Sequence, residues 1–326
     1  LGEDTMKILV TGGAGFIGSN VANALLKDRH SVVIYDNLSR PGVYKNFTWL
    51  AGNKEKETLR MSFFQSDIVD YKKLEEAVED VDVIFHFAGQ VGVQSSIDNP
   101  RDDFNVNASG TFNVLEAARL SEKHPMVVFA STNKVYGEFD KRPPVSESQP
   151  LSFCTPYGCS KGSAGQYVLD YHRIYGLPTV VLRMSCIYGA RQFGTEEQGW
   201  LAHFMLFHIK KEPITVFGDG TQRRDALFVD DYVDLCKMLI ENKKKVAGKV
   251  FNIGGGPKNT ISVNEALSKM AKMVGKTKVS YTDWRPSDQH TYISDISKIK
   301  KAIGWEPKIG IDGGLKRLEE WCRNLR

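Results

Sequence analysis

The sequence of 326 residues predicts an α/β protein, a doubly wound and mostly parallel sheet covered by helices, with a smaller and discontinuous C-terminal lobe. Three observations carry this expectation. Short apolar runs alternate with longer amphipathic stretches through the first half, a glycine-rich turn joins the first run to the first amphipathic stretch, and the alternation breaks after Met184.

The runs Lys7 to Thr11, Ser31 to Tyr35, Met61 to Gln65, Val83 to Phe87, Met126 to Ala130 and Thr179 to Met184 are almost continuously apolar, as strands covered on both faces are. Helices are expected between them around Val21 to Lys27, Lys73 to Glu79, Asn105 to Leu120 and Ser160 to Tyr175. From Cys186 to Arg224 the chain is rich in Gly, Gln, Phe and His, with one helix expected at Leu201 to Lys210. Lys249 to Ile253 reads as a strand returning to the first sheet, and Val263 to Val274 and Gly310 to Cys322 as helices of the smaller lobe. The expected division is a sheet domain over 1–183, rejoined by about 226–254, and a second lobe built from 184–225 and 255–326.

Composition narrows the function classes. The 43 basic and 39 acidic side chains leave a net charge of +4 without a block of either sign, so no nucleic-acid arm is expected, while a small phosphate-bearing molecule suits the surface. The five cysteines are scattered and form no CxxC pair, which fits reduced thiols in the cytoplasm. The sequence holds no apolar run of about 18 residues, so neither a membrane span nor a signal peptide is expected. The histidines form no ligand-spaced cluster with Asp, Glu or Cys, so no metal is expected, and His86, inside an apolar run, reads as a satisfied core histidine.

The turn after the first strand reads Thr11-Gly12-Gly13-Ala14-Gly15-Phe16-Ile17-Gly18. Gly12 permits a tight turn, Gly15 lets backbone approach a pyrophosphate, and Gly18 lets the following helix pack closely, its N-terminus offering N–H groups to an anion. Such a turn can also be purely structural, and its context decides. Asp36 follows the second strand, 24 positions after Gly12, where a carboxylate accepts hydrogen bonds from both hydroxyls of an adenine ribose. That favours NAD over NADP, whose 2′-phosphate would meet like charge; Arg40 nearby is either a surface residue or a partner for such a phosphate. Asp67-Ile68 and Phe87-Ala88-Gly89 fall at the ends of later strands, where a Rossmann-type sheet lays a dinucleotide, although Asp67 also reads as a turn cap. Phe16, Ile17, Asn37, Ser39, Gln90 and Asn107 complete the expected cofactor set.

Tyr157 and Lys161 stand at i and i+4 on an expected helix, hence on one face. A lysine ammonium beside a buried phenol lowers its pKa, so the phenolate becomes a base near neutrality. The strand ending in Ala130-Ser131-Thr132 brings a hydroxyl toward the same place, where Thr132 either donates to a substrate oxygen or caps a turn. Without Tyr157 or Lys161 the reading would be a non-catalytic NAD-binding protein.

TGGAGFIG at 11–18, Ser-Thr-x-x-Val-Tyr-Gly at 131–137 and YxxxK at 157–161 together resemble the extended short-chain dehydrogenase/reductase superfamily, and the likeness runs on through Arg224-Asp225, Asn252-Ile253-Gly254-Gly255 and Arg285-Pro286. More specific strings, Ala88 to Val91, Ser95 to Pro100, Ser131 to Gly137, Pro156 to Gly162 and Arg191 through Trp200, resemble its nucleotide-sugar 2-epimerases acting on CDP-hexoses. The resemblance implies a tightly held, self-regenerating NAD, a catalytic Thr132, Tyr157 and Lys161, and inversion of C2 of CDP-paratose or CDP-tyvelose, with CDP-glucose and CDP-mannose a further pair, through a 2-keto sugar. It also implies a homodimer or higher homo-oligomer, joined through the helices at 105–120 and 160–175. The related 4,6-dehydratases carry an Asp-Glu pair after the threonine, where this chain has Asn133-Lys134; the UDP-hexose 4-epimerases, the alternative, carry an asparagine where this chain has Cys186.

In the second lobe Arg224 and Arg285 are the expected diphosphate or nucleotide ligands, since guanidinium forks match phosphate oxygens. Gln90, Ser95, Asn133 and Ser185 are candidate sugar partners, and Gly199-Trp200 either covers the base or fills the core of the lobe. Asp230 and Asp231 open a helix, as caps or as ligands.

Overall fold

The computed structural model describes residues 5–52, 60–138, 144–285 and 289–325; Pro286 of the arginine-proline pair lies outside them. Its strands are β1 (Lys7–Thr11), β2 (Ser31–Tyr35), β3 (Met61–Phe64), β4 (Val83–His86), β5 (Met126–Thr132), β6 (Thr179–Met184), β7 (Cys186–Tyr188), β8 (Ile214–Phe217), β9 (Arg223–Phe228), β10 (Lys249–Ile253), β11 (Thr260–Ser262), β12 (Val279–Thr282) and β13 (Thr291–Tyr292). Seven of them form one parallel sheet in the order β3-β2-β1-β4-β5-β6-β10, so the strand at 249–253 does return to it. The order reverses between β1 and β4, which opens a crevice at their carboxyl ends.

Both faces of the sheet are covered. Ile8, Val10, Ile34, Phe85 and Leu182 pack toward the helices Phe16–Lys27 and Val229–Glu241 and the second lobe, whereas Leu9, Val33, Ile84, Val127 and Phe129 pack toward Tyr71–Val78, Gly110–Leu120 and Pro156–Tyr175. This two-sided burial explains why the strands read as unbroken apolar runs.

Several boundaries differ from the sequence expectation. The helix expected from Ser160 begins at Pro156, because Thr155 caps it by accepting from the Gly158 N–H at 3.1 Å and proline fits its first turn. The first helix starts at Phe16 and runs through Gly18, a residue that pattern reading counts as turn. The single helix expected from Asn105 to Leu120 is Pro100–Phe104, a π-helical turn Asn105–Ser109 and Gly110–Leu120. β5 runs two residues further than expected, with Ser131 and Thr132 in register with Arg183 and Met184 of β6. β7 and β8 lie in the stretch from Cys186 to Arg224 that was expected to hold one helix, and with β9, β11, β12 and β13, none of them expected, they form a second small sheet, β11-β9-β13 with β7 on β9, and the parallel pair β8 and β12.

Asp230 and Asp231 do not cap the Val229–Glu241 helix, whose N-cap Phe228 has no side-chain bond. Asp231 is buried and accepts from the N–H groups of Lys308 (3.1 Å) and Ile309 (2.9 Å), while the Trp305 indole donates to its carbonyl at 3.0 Å. Asp230 reaches outward to Arg317 at 2.8 Å. Replacing Asp231 by Ala should therefore lower unfolding free energy by about 2 kcal/mol, since two partly buried N–H donors lose a charged acceptor. Asp230→Ala should cost under about 1 kcal/mol, as expected for an exposed ion pair, both read by urea denaturation.

Candidate active site

A cleft of about 1050 Å³ opens at the carboxyl ends of the parallel strands, between the sheet and the second lobe. Gly12, Gly15, Phe16, Ile17 and Gly18 line it from the glycine turn. Gly12 has φ +66°, and a Cβ there would sit 2.7 Å from the Ala88 nitrogen; one on Gly18 would sit 2.1 Å from the Gly12 carbonyl oxygen. Both glycines are thus required by backbone contact alone. The helix that follows has no side-chain cap at Gly15, which leaves its first-turn N–H groups at the cleft wall for an anion.

Asp36, at the end of β2, accepts from the N–H of Ala14 (3.0 Å, Oδ2) and of Leu38 (2.9 Å, Oδ1). Each oxygen keeps a lone pair for a ribose hydroxyl, and burial raises the carboxyl above its ordinary range against the pull of those backbone bonds. Asn37, Ser39, Arg40, Asp67 and Ile68 line the same stretch. Asp67 accepts from Asn37 Nδ2 at 2.7 Å and from the Val69 N–H at 3.1 Å, so its turn-capping role is real; the helix after it is capped by Asp70.

Phe87, Ala88, Gly89 and Gln90 form the floor, braced from behind. The Ala88 N–H donates to Thr11 Oγ1 (3.3 Å), which bonds His86 Nδ1 (2.7 Å); His86 Nε2 bonds Thr111 Oγ1 (3.0 Å), which donates to the Asn107 carbonyl (2.6 Å). Because Thr111 spends its proton on Asn107, His86 must donate from Nε2 and accept at Nδ1, the neutral tautomer. Asn107 does not line the cleft, contrary to its expected place among cofactor ligands. Its side chain instead accepts from the Gln90 N–H (3.0 Å) and donates to the Gln90 carbonyl (3.1 Å), Asp103 (3.0 Å) and Ser160 (3.2 Å), holding the floor in place.

Thr132, Tyr157 and Lys161 meet in the cleft wall, all nine-tenths or more buried. The Thr132 hydroxyl accepts from the Lys134 N–H at 3.2 Å and donates to Asn133 Oδ1 at 3.4 Å, so it caps a turn, and from the same wall it acts on the Tyr157 phenol. Burial pushes Tyr157 up to about 12, opposed by the Thr132 bond, and brings Lys161 down to about 8, its ammonium lying 4.6 Å above the Phe129 ring. The lowered phenol pKa expected from the lysine is absent in the protein alone, because desolvation, with the nearby Asp103 charge, outweighs what Thr132 and Arg40 return.

The substrate candidates divide. Gln90, Ser95, Asn133, Gly199, Trp200, Arg224 and Arg285 line the cleft. Ser185 lines it too, but its hydroxyl is committed to the buried Asp225 carboxylate at 2.5 Å. Asn133 donates to Gln289 at 3.0 Å, Gly199 is the left-handed N-cap of the Trp200–Lys210 helix, and the Trp200 ring packs edge-on to Phe204. The Arg285 guanidinium lies 3.9 Å over the Phe217 ring and donates to the Glu196 carbonyl. Sequence reasoning missed Arg191, whose guanidinium covers Trp49 at 4.0 Å, and Glu197, which accepts from Ser95 at 2.6 Å. Both belong to the Arg191 to Trp200 string that drew notice only as a resemblance. No candidate cluster of three or more His, Cys, Asp or Glu for a metal occurs, and no helix is long and apolar enough to cross a membrane, among the described residues.

This fold and this cleft define an enzyme of the NAD-dependent nucleotide-sugar epimerase and dehydratase class. The chain belongs to the family described as GDP-mannose 4,6 dehydratase, whose model matches residues 9–318. It is 39% identical to a CDP-paratose 2-epimerase of Salmonella typhi, over 98% of this chain and 100% of that one. Among solved structures it resembles a UDP-glucose 4-epimerase of Thermotoga maritima with UDP-glucose (33% identity, 98% and 99% coverage, TM-score 0.87). It also resembles a UDP-glucuronic acid 4-epimerase of Bacillus cereus in complex with UDP-glucuronic acid and NAD (31%, 98% and 100%, TM-score 0.88).

Burial brings His86 down to about 3, so its folded pKa lies below the unfolded value of 6.5. The stability that this neutral imidazole supplies is present above pH 6.5 and is lost as pH falls toward 3, because only the unfolded chain takes up the proton. Urea denaturation between pH 6.5 and 4 should show wild type losing stability more steeply than His86→Gln, by up to about 1.4 kcal/mol per pH unit. Equal slopes would place the proton uptake elsewhere.

Proposed function

We propose that the chain is an NAD-dependent epimerase that inverts C2 of a CDP-hexose, CDP-paratose to CDP-tyvelose, with CDP-glucose and CDP-mannose as a second pair. The observation that carries it is the convergence of Thr132, Tyr157 and Lys161 in one cleft wall, followed by Asn133 and Lys134, which offer no carboxylic acid there for eliminating water. The identity to the Salmonella typhi enzyme supports the choice of C2 and of CDP.

The residues present fit NAD: the uncapped helix start for its pyrophosphate, Asp36 for the adenine ribose, and Lys161 and Tyr157 beside its nicotinamide end. NAD held there supplies a reversible hydride acceptor, so the sugar passes through a 2-ketone and returns with C2 inverted and no net redox change. Tyr157 exchanges the proton of the reacting hydroxyl. Thr132, its oxygen fixed by the Lys134 N–H, orients that hydroxyl, and the Lys161 ammonium supplies positive charge below about pH 8. Arg224 and Arg285 take the diphosphate. The second reading is a UDP-hexose 4-epimerase, favoured by the fold likeness to two such enzymes and opposed by Cys186.

The pairing of subunits is proposed from the helices at 100–120 and 156–175, which leave Phe104, Phe112, Leu120, Tyr167 and Ile174 exposed on neighbouring turns. Light scattering on Phe112→Asp combined with Ile174→Asp should give a monomer where wild type gives a dimer.

Proton NMR of the protein with CDP-paratose, CDP-glucose or UDP-glucose, first without and then with added NAD, should show inversion confined to C2 of the CDP sugars. Inversion at C4 would select the second reading. Tyr157→Phe should cut turnover by about 10³-fold while NAD stays bound, measured by nucleotide release on denaturation.

A further inference from the structure

We propose that Glu197, seated on Ser95, is a specificity-determining residue that admits an uncharged hexose and turns away a sugar acid. The inference rests on the nucleotide-sugar reading and not on which carbon is inverted. Glu197 comes from the second lobe and Ser95 from the sheet domain, 102 residues apart, and their 2.6 Å bond closes across the cleft. The pair lies near the reacting end: Ser96, next in the chain, accepts the Tyr157 N–H at 3.2 Å, and Gly92, which abuts Glu197, accepts from Gln90 Nε2 at 2.9 Å next to Gly89, where a Cβ would stand 3.3 Å from Lys161 Nζ. Gly92 makes room for the pair, since a Cβ there would stand 2.3 Å from Glu197 Oε2 and 2.8 Å from Ser95 Oγ.

A carboxylate accepts hydrogen bonds and donates none, so at the sugar end it selects hydroxyls. The same charge sets the direction of the substrate. A diphosphate is repelled from Glu197 and attracted to Arg224 and Arg285, which line the same cleft. A hexuronate would bring a second carboxylate to Glu197, and for two charges about 4 Å apart near a protein surface that repulsion amounts to roughly 10²-fold in affinity. The fold itself does not forbid a sugar acid, since the Bacillus cereus relative is solved with UDP-glucuronic acid. The discrimination therefore falls to side chains, and Glu197 has the charge and the place for it.

The test is calorimetric binding, to the NAD-loaded full chain, of CDP-glucose against CDP-glucuronic acid and of UDP-glucose against UDP-glucuronic acid, each pair sharing base and diphosphate, the ratio being read from the pair whose neutral sugar binds. Wild type should prefer the neutral sugar by about 100-fold. Glu197→Gln, which keeps the size and an acceptor for Ser95, should bring the ratio within about 10-fold. Ser95→Ala should keep most of the preference, because the charge remains. Melting temperature and bound NAD serve as folding controls. A wild-type ratio near one, or a ratio that Glu197→Gln leaves unchanged, overturns the inference. Inversion at C4 in the NMR experiment would overturn the preceding reading while leaving this ratio as the measure of Glu197.

Discussion

The floor of the cleft depends on one buried chain of hydrogen bonds, Ala88 to Thr11 to His86 to Thr111 to Asn107. Every proton in it has an assigned direction, and the imidazole at its centre must remain neutral for the direction to hold. The chain joins β1, β4 and the π-helical turn, three elements that separately have no reason to keep register at their ends. It fixes Ala88 where Gly12 passes so closely that no Cβ fits, and it fixes Asn107, which grips both backbone groups of Gln90. The π-helical turn follows from this demand, because it places Asn107 against Asp103, Ser160 and the floor together.

Burial does most of the electrostatic work in the cleft wall. Tyr157 and Lys161 are both pushed toward their neutral forms, the phenol up and the ammonium down. A protein that left them this way would hold a poor base. The site is therefore arranged so that a ligand cation and the substrate hydroxyl complete the electrostatics, and the phenol takes up its role with a full cleft. Asn133 and Lys134, next in the chain after Thr132, add no carboxylic acid to that wall.

Most of the sheet was legible because its strands are buried on both faces, and the glycine turn with Asp36 was legible because its backbone geometry admits few residues. The Tyr157 and Lys161 pair survived a four-residue error in the start of its helix, since i and i+4 stay on one face wherever the helix begins. In the second lobe the helices near 201–210, 263–274 and 310–322 were legible from their apolar stripes, but the short strands were not. β9 opens with Arg223, Arg224 and Asp225, and Asp225 is buried by Ser185, Gly256 and Ser294 rather than by apolar neighbours, so no periodic pattern marks the strand. Asn107 was singled out for the right region, where its side chain is taken up by Gln90, Asp103 and Ser160. Ser185 was likewise near the cleft with its hydroxyl already spent. Such distinctions depend on which partner a polar group finds, and spacing alone carries no record of that.

The division of legibility matches a division of labour. The cofactor side is built from backbone and from strand ends, and relatives with different sugars can share it. The sugar side hangs on the segment from Ala190 to Trp200, tied to the sheet domain by Asn20 donating to the Ala190 carbonyl (3.0 Å), Asn46 donating to the Arg191 carbonyl (3.1 Å) and Ser95 donating to Glu197. The first two ties hold backbone and leave side chains free to vary; the third is made through the Glu197 side chain itself. A change at Glu197 would thus leave undisturbed the two anchors that position the segment, and one fold shared by relatives named for different sugars fits an arrangement in which selectivity rests on side chains.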